Sequence, residues 1–368
     1  MYSSSMEEYT DMTLSHKGII HTFRKNQYIT DIFNICQTHE MGGCILVCDN
    51  CGNRVVKYYP CNKRGCWKCA PINQRRWEEK TKRKVLPTGH FHQVFKVPTE
   101  LFYHVWQRDE KKFIGTMFRA VQRAYKEEAK QTGLTPGIIM VFQSHGELLS
   151  VQLHIHCMVS MGGTTERGKW IPIHKMNEMR LEENYRKFFY EEVSKRYKGF
   201  FWDTLRPILL EAKTEKAELY TTYHRRSANA IIHYVSKSLC GLIVHPDDLK
   251  YDRENDIAII HNRKKGAEDK LDAEEFVRRY AEHIPMDGEV LVRHYGLYSN
   301  CLKEIKEGIR KDVFHEELKE EEEMEELCPE CKSHLRMDKE FTPDRLPLEI
   351  RLALNKGFPP KHGTVLAA

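Results

Sequence analysis

The chain has 368 residues, 40% of them hydrophobic, with 58 Lys+Arg against 53 Asp+Glu. That length suggests two or three domains with a sizeable core, and no apolar run approaches the roughly 18–20 residues that would span a bilayer. The start, MYSSSMEEYT, lacks the basic-then-apolar pattern of a secretory signal, so a soluble cytoplasmic protein with no membrane partner is expected.

Residues 17–40 read as a helix, with Ile32, Phe33, Ile35 and Cys36 on an apolar face. A cysteine-rich, glycine-punctuated segment (44–70) and a short basic helix (71–84) follow. HFHQVFKVP alternates and is closed by Pro98, the pattern of a strand. Residues 100–131 carry helical periodicity through Leu101, Val105, Phe113, Met117, Val121 and Ala124, stopped by Gly133 and Pro136. GIIMVFQSH (137–145) and VQLHIHCMVSM (151–161) read as two strands of an antiparallel hairpin, joined by a loop that starts at Gly146. Residues 173–200 and SANAIIHYVSKSL (227–239) read as helices. DIAIIH is a strand, LDAEEFVRRYAEH a helix and GEVLVRHY a strand. The order implies an α+β fold, an antiparallel sheet backed by helices.

Twelve cysteines in a cytosolic chain read as metal ligands before disulfides. Cys48-x2-Cys51 and Cys66-x2-Cys69 are two knuckles whose four thiolates would make one closed, structural tetrahedral Zn²⁺ site. Cys36, Cys44 and Cys61, with His39, are the material for a second site. Cys328 and Cys331 form a half site, with His315, His334 or a group elsewhere in the fold to complete it. From Arg54 to Lys96 there are 12 Lys+Arg against Glu78 and Glu79, an electrostatic footprint for phosphate. Arg64, Trp67, Lys68, Arg75 and Arg76 are its candidate DNA contacts, Trp67 as a base-stacking surface. The acidic run Glu316–Glu326 reads as a solvated helix face or spacer.

In QLHIHCMV, His154 and His156 stand at i and i+2 of a strand, so both imidazoles face one way and Ile155 the other. A hairpin centred near Leu148–Leu149 puts Gln143 opposite His154 and offers its amide oxygen as a third ligand; a one-residue slip would spoil the pairing. Two imidazoles and one amide oxygen leave positions open, which suits Mg²⁺ or Mn²⁺ bridging a phosphate.

The HIH strand resembles the HUH motif of single-strand DNA nicking enzymes. The chain as a whole resembles the rolling-circle insertion-sequence transposases, the group that includes the ISCR elements. The resemblance rests on CDNCGNRV…CNKRGCWKC, LPTGHFHQVFKVPTEL, FQSHGELLSVQLHIHCMVS, IIHYVSKS and FVRRYAEHIPMDGEVLVRHYGLYSN, which reach in order from about residue 36 to about 300. It implies a ferredoxin/RRM-like HUH palm, an N-terminal zinc-binding module and a C-terminal α/β extension. The expected segments are 1–84, 85–245, 246–312 and 313–368. It also implies Tyr234 as the nucleophile; Lys237, three residues on along the same helix, is placed to steady the phenolate or phosphate. Two departures stand out: Gln143 replaces a histidine of the family's hairpin, and Ser238 occupies the place of a second tyrosine, which favours a single nucleophile.

The implied activity is nicking of single-stranded or hairpin DNA at element ends. A 5′-phosphotyrosine forms, and strand transfer to target DNA follows. Tyr223, Tyr295 and Tyr298 compete with Tyr234. His92, on the strand beside the hairpin, is a candidate DNA or phosphate contact, with core packing the alternative. Other readings are a rolling-circle replication initiator, a non-catalytic zinc-finger DNA-binding protein and a zinc hydrolase with Glu147 as base. Monomer and dimer are both compatible with the sequence.

Overall fold

The structure, a computed structural model, describes residues 12, 35–98, 100–101, 104–105, 107–145, 149–212, 220–262, 266–285, 288–317, 326–357 and 360–366. The expected helix at 17–40, the turn at 146–148 with Glu147 and most of the acidic run therefore lie almost wholly outside the described residues. In chain order the elements begin β1 (Gly43–Cys48), β2 (Arg54–Tyr58), α1 (Ala70–Lys84), β3 (His90–Lys96) and α2 (Gln107–Thr132). Next come β4 (Thr135–His145), β5 (Val151–Thr164), β6 (Trp170–Pro172), α3 (Glu178–Arg196), α4 (Phe200–Ala212), β7 (Tyr220–Arg226) and α5 (Ala228–Leu239). The chain continues through β8 (Leu249–Asp252), β9 (Ile257–Asn262), β10 (Ala267–Asp272), α6 (Ala273–Glu282), β11 (Val292–Gly296) and α7 (Lys303–Phe314). It closes with β12 (Leu335–Phe341), α8 (Leu348–Asn355) and β13 (Val365–Leu366).

The chain divides into two compact units, each joined from segments apart in the sequence. One unit joins Met1–Asn73, Leu242–Ile284 and Lys319–Ala368; the other joins Gln74–Gly241 and Pro285–Leu318. Among the described residues no helix is long and apolar enough to cross a membrane.

The first unit holds an antiparallel sheet of order β12-β1-β2-β13, built from both ends of the sequence. Gly43↔Phe341 and Gly43↔Tyr58 fix its register. Ile45, Val56, Tyr58 and Phe341 fill its buried face together with Ile350 of α8. A second small sheet, β10-β9-β8, carries α6 after it.

The second unit is a larger antiparallel sheet of order β11-β4-β5-β3-β7, with β6 beside β5. Alternation along β5 sends Leu153, Ile155, Cys157 and Val159 to a core shared with Phe113, Met117 and Phe118 of α2 and Tyr185 and Phe189 of α3. Met158, with Ile139 and Val141 of β4, packs on the opposite side against Ile231, Ile232, Val235 and Leu239 of α5. Both faces are covered, which explains why β4 and β5 read as nearly unbroken apolar runs. Burying each of these aliphatic or aromatic side chains contributes about 1.5–3 kcal/mol. Ile155, fully buried, is the back of the histidine strand as expected. Gly296 ends β11 at φ +56, and a Cβ there would lie 1.9 Å from the Pro136 carbonyl oxygen, so no other residue fits.

Candidate metal centres and tyrosine site

Strand β4 pairs with β5 so that Gln143 faces His154 and Val141 faces His156. This is the register the hairpin reading requires. Residues 143, 154 and 156 then share one face of the sheet, and all three are buried. Gln143 Oε1 lies 2.9 Å from His154 Nε2 and 3.0 Å from His156 Nε2, and the two imidazole nitrogens are 3.1 Å apart.

The proton positions follow from the partners. The Gln152 carbonyl oxygen, 2.6 Å from His154 Nδ1, can only accept, so Nδ1 carries the proton. Burial holds the His154 pKa at about 4, so the ring is neutral and its Nε2 presents a bare lone pair. Gln143 Oε1 is a second acceptor, and its Nε2 is buried with no hydrogen-bond partner. Burial, then the neighbouring His154 and His92, push the His156 pKa well below its usual value. His92 Nε2 sits 2.9 Å from His156 Nδ1. When the single His156 proton is on Nδ1, His92 accepts it, and all three corners of the triangle are acceptors facing one point.

Three acceptors so placed fit a cation. Three neighbouring corners of an octahedron with bonds of about 2.1 Å are about 3.0 Å apart. A tetrahedron with similar bonds would put them at about 3.3–3.4 Å. The observed edges of 2.9–3.1 Å are short enough for one ion to be shared by all three atoms.

Tyr234 stands on α5 over this triangle. Its ring centroid is 5.5 Å from that of His92 and 5.6 Å from that of His156, both edge-on, while the side chain stays 45% exposed. The opposite side of α5 is apolar and buried. Ser227 caps the helix by accepting from Ala230 N. Glu78 of α1 clamps it from the side: Ser236 Oγ donates to Glu78 Oε1 at 2.5 Å, and His233 Nδ1 is 3.1 Å from the same oxygen. Burial pushes the Glu78 carboxyl up, but the bonds from Ser236, Gln74 and His233 outweigh it and hold it below the usual range. No motif in the sequence marks this clamp.

Other expected site residues fall elsewhere. Lys237 is exposed, one turn beyond Tyr234. His92 is only 1% exposed; it is a partner of His156 and Tyr234, not part of an open DNA-contacting surface. Tyr298 is fully buried, with its hydroxyl 2.6 Å from His90 Nε2, and Tyr295 packs against the core of the second unit. Tyr223 lies on β7, and its side chain is outside the described residues. Arg75 and Arg76 are exposed on α1. Arg64, Trp67 and Lys68 are half-buried, and the Lys68 ammonium donates to the Cys36 carbonyl at 2.5 Å while lying 5.2 Å from the Trp67 ring centre.

The cysteines correct the expected pairing. Cys48 and Cys51 do not share a site with Cys66 and Cys69; among the described residues there are two separate clusters, Cys36/Cys61/Cys66/Cys69 and Cys48/Cys51/Cys328/Cys331. In the first, Cys69 Sγ is 3.4 Å from Cys36 Sγ and 3.7 Å from Cys61 Sγ. In the second, Cys48–Cys331, Cys51–Cys328 and Cys51–Cys331 are 3.4, 3.6 and 3.5 Å apart. A tetrahedral Zn²⁺ with Zn–S bonds of about 2.3 Å separates its sulfurs by about 3.8 Å, so both clusters fit the ion. The partner of the Cys48–Cys51 knuckle is the Cys328–Cys331 half site, brought in by β12 pairing with β1. Cys44, His39, His315 and His334 belong to neither cluster.

Residues 137–305 match a family model described as "Putative transposase", and residues 6–97 match one described as "Transposase zinc-binding domain". The chain is 26% identical over 307 residues to "Putative transposase y4qJ" of Sinorhizobium fredii, covering 76% of each chain. It is 28% identical over 141 residues to "Transposase for insertion sequence element IS801" of Pseudomonas savastanoi pv. phaseolicola, covering 37% of this chain and 33% of that protein. No solved structure matches. The matches support a transposase function and a structural zinc-binding region at the N-terminal end.

Proposed function

We propose that this chain is a DNA transposase that nicks single-stranded or hairpin DNA at element ends by attack of Tyr234, then rejoins strands into target DNA. The observation that carries the reading is the placement of one exposed tyrosine over three converging metal-ligand atoms on one sheet face. In this reading the sheet is an HUH palm. A divalent cation, Mg²⁺ or Mn²⁺, held by His154, His156 and Gln143 would neutralise charge on the scissile phosphate and polarise it.

The rest falls to the chain itself. His92 fixes the tautomer of His156, and the Gln152 carbonyl fixes that of His154, so both rings present lone pairs. The clamp of Glu78 on Ser236 and His233 holds α5, and with it Tyr234, above the site. The phenol oxygen attacks phosphorus in line. The bond to the 3′ oxygen breaks, and the proton lost by tyrosine is balanced by the one gained at the leaving 3′-OH. The 5′-phosphotyrosine conserves the bond energy, so a later 3′-OH can displace tyrosine without ATP. Lys237, exposed one turn away, is the cation that steadies the phosphate. With Ser238 at the next-turn position, one tyrosine serves each strand-transfer cycle.

The test is incubation with Mn²⁺ and an end-labelled single-stranded oligonucleotide carrying an element end, resolved on a denaturing gel. The wild type yields a covalent protein–DNA band, and Tyr234→Phe loses it while binding the oligonucleotide within about two-fold of wild type. A covalent band that persists in Tyr234→Phe overturns the assignment.

A further inference from the structure

Helices α1 and α7 of the second unit are joined at one point. The Arg310 guanidinium, 3% exposed, donates through Nη2 to the Arg83 carbonyl at 3.0 Å and the Val85 carbonyl at 2.6 Å. Lys306 lies one turn before Arg310 on the same face of α7, and it too is buried. Lys80 and Lys84 stand one turn apart on α1, where that helix ends. His294 of β11 is half-buried and pairs with Ile139, whose side chain packs beneath α5. Residues 139 and 143 are four apart on β4, so His294 lies on the same side of the sheet as Gln143.

The charge in this cluster is not balanced. Burial, then Lys306 and Lys80, hold the Lys84 ammonium below its usual value. Burial, then Lys84, Lys80 and Lys306, hold the His294 pKa at about 4. Among the described residues no carboxylate offsets either group. The acids nearby are Glu307, shared between Lys306 Nζ at 3.0 Å and Arg310 Nε at 3.4 Å, and Glu316, paired with Arg310. Both carboxylates are thus engaged by Lys306 and Arg310. Lys82, by contrast, points to Glu78, 3.9 Å away.

We infer that Lys80, Lys84 and Lys306, with His294, form a phosphate-binding subsite for the DNA strand whose scissile phosphate lies at the His154–His156–Gln143 triangle. Ile139, the partner of His294, lies four residues from Gln143 along β4, a rise of about 14 Å or about four nucleotides of stacked single strand. The inference rests on the function proposed above. It adds where the strand backbone is gripped.

The test uses the full chain with its zinc, carrying Tyr234→Phe so that DNA is not consumed, and fluorescein-labelled oligodeoxythymidylate of 20 nucleotides. Binding is followed by anisotropy across a sodium chloride series. In K80Q/K84Q the slope of log affinity against log salt becomes shallower by about 0.7 for each phosphate that is no longer neutralised. At 0.1 M salt the affinity falls about five-fold for each such phosphate. K306M, which keeps an unbranched apolar stem, acts in the same direction, whereas K82Q leaves the slope unchanged. If the parent chain binds and K80Q/K84Q has the same slope, the subsite is overturned and the proposed function is untouched. If the parent chain binds no oligonucleotide, the proposed function falls and takes the subsite with it. Inorganic phosphate at constant ionic strength is the remaining arm. Displacement of DNA from the parent chain but not from K80Q/K84Q by millimolar phosphate would make this a free-anion site and overturn the inference.

Discussion

Replacing Gln143 with leucine tests the cation triangle with little change in side-chain volume. Without metal the His156 proton can shift to Nε2, and the substitution then removes two opposing features: the hydrogen bond that Oε1 accepts from that nitrogen, and a buried amide nitrogen with no partner. The first contributes about 1 kcal/mol and the second costs about 1–3 kcal/mol, so the metal-free variant melts within a few degrees of wild type. With metal the two diverge. Loss of a supporting partner of a metal ligand already weakens binding about 10–100-fold, so loss of a ligand weakens it by about 100-fold or more. At a Mn²⁺ concentration 100 times the wild-type Kd, wild type gains about 2.7 kcal/mol and the variant about 0.4 kcal/mol. For a unit of this size that separates the melting temperatures by roughly 5–10 °C. The assay is thermal unfolding with and without Mn²⁺ on zinc-replete protein, with Kd from titration of the free Mn²⁺ paramagnetic signal. A Q143L chain that binds Mn²⁺ as tightly as wild type refutes the reasoning.

Two further predictions concern other parts of the molecule. The paired clusters imply two zinc ions per chain by elemental analysis, and C331S retains one of them while its β12 segment becomes protease-sensitive; a single zinc in wild type would refute the two-cluster arrangement. His90 is fully buried, is bonded to Thr88 and Tyr298, and has a pKa held at about 4 by burial. It stays neutral in the fold while the unfolded chain takes up a proton near pH 6.5, so its contribution is present above pH 6.5 and is lost as pH falls towards 4. The loss is about 3 kcal/mol, read as the part of the acid-side fall in the urea midpoint that H90Q removes, while the parts due to His154, His156 and His294 remain.

The histidine site was legible because its signals are local. His154, Ile155 and His156 follow the two-residue strand period, and a short hairpin sets Gln143 opposite His154. The buried back at Ile155 explains why that register holds. The cysteine sites were not legible, because Cys48 and Cys51 meet ligands some 280 positions away. Spacing cannot carry that information; β12 does, and its LRMDKEF is so polar and exposed that no alternation announces a strand. Helix α4 went unread beyond Gly199 because Pro207 sits inside it. The clamp of Glu78 on Ser236 and His233 left no trace either, since one of two adjacent carboxylates in a basic helix looks like any solvated charge.

The central claim is that Tyr234 becomes covalently joined to a 5′ phosphate. The direct measurement is proteolysis of the Mn²⁺-dependent adduct followed by mass spectrometry of the nucleotide-bearing peptide, with the released strand tested for extension by a polymerase. The account predicts the nucleotide on the peptide containing Tyr234, and a released strand with an extendable 3′-OH. A nucleotide mapped to another tyrosine, or cleavage by water with no adduct, would contradict it.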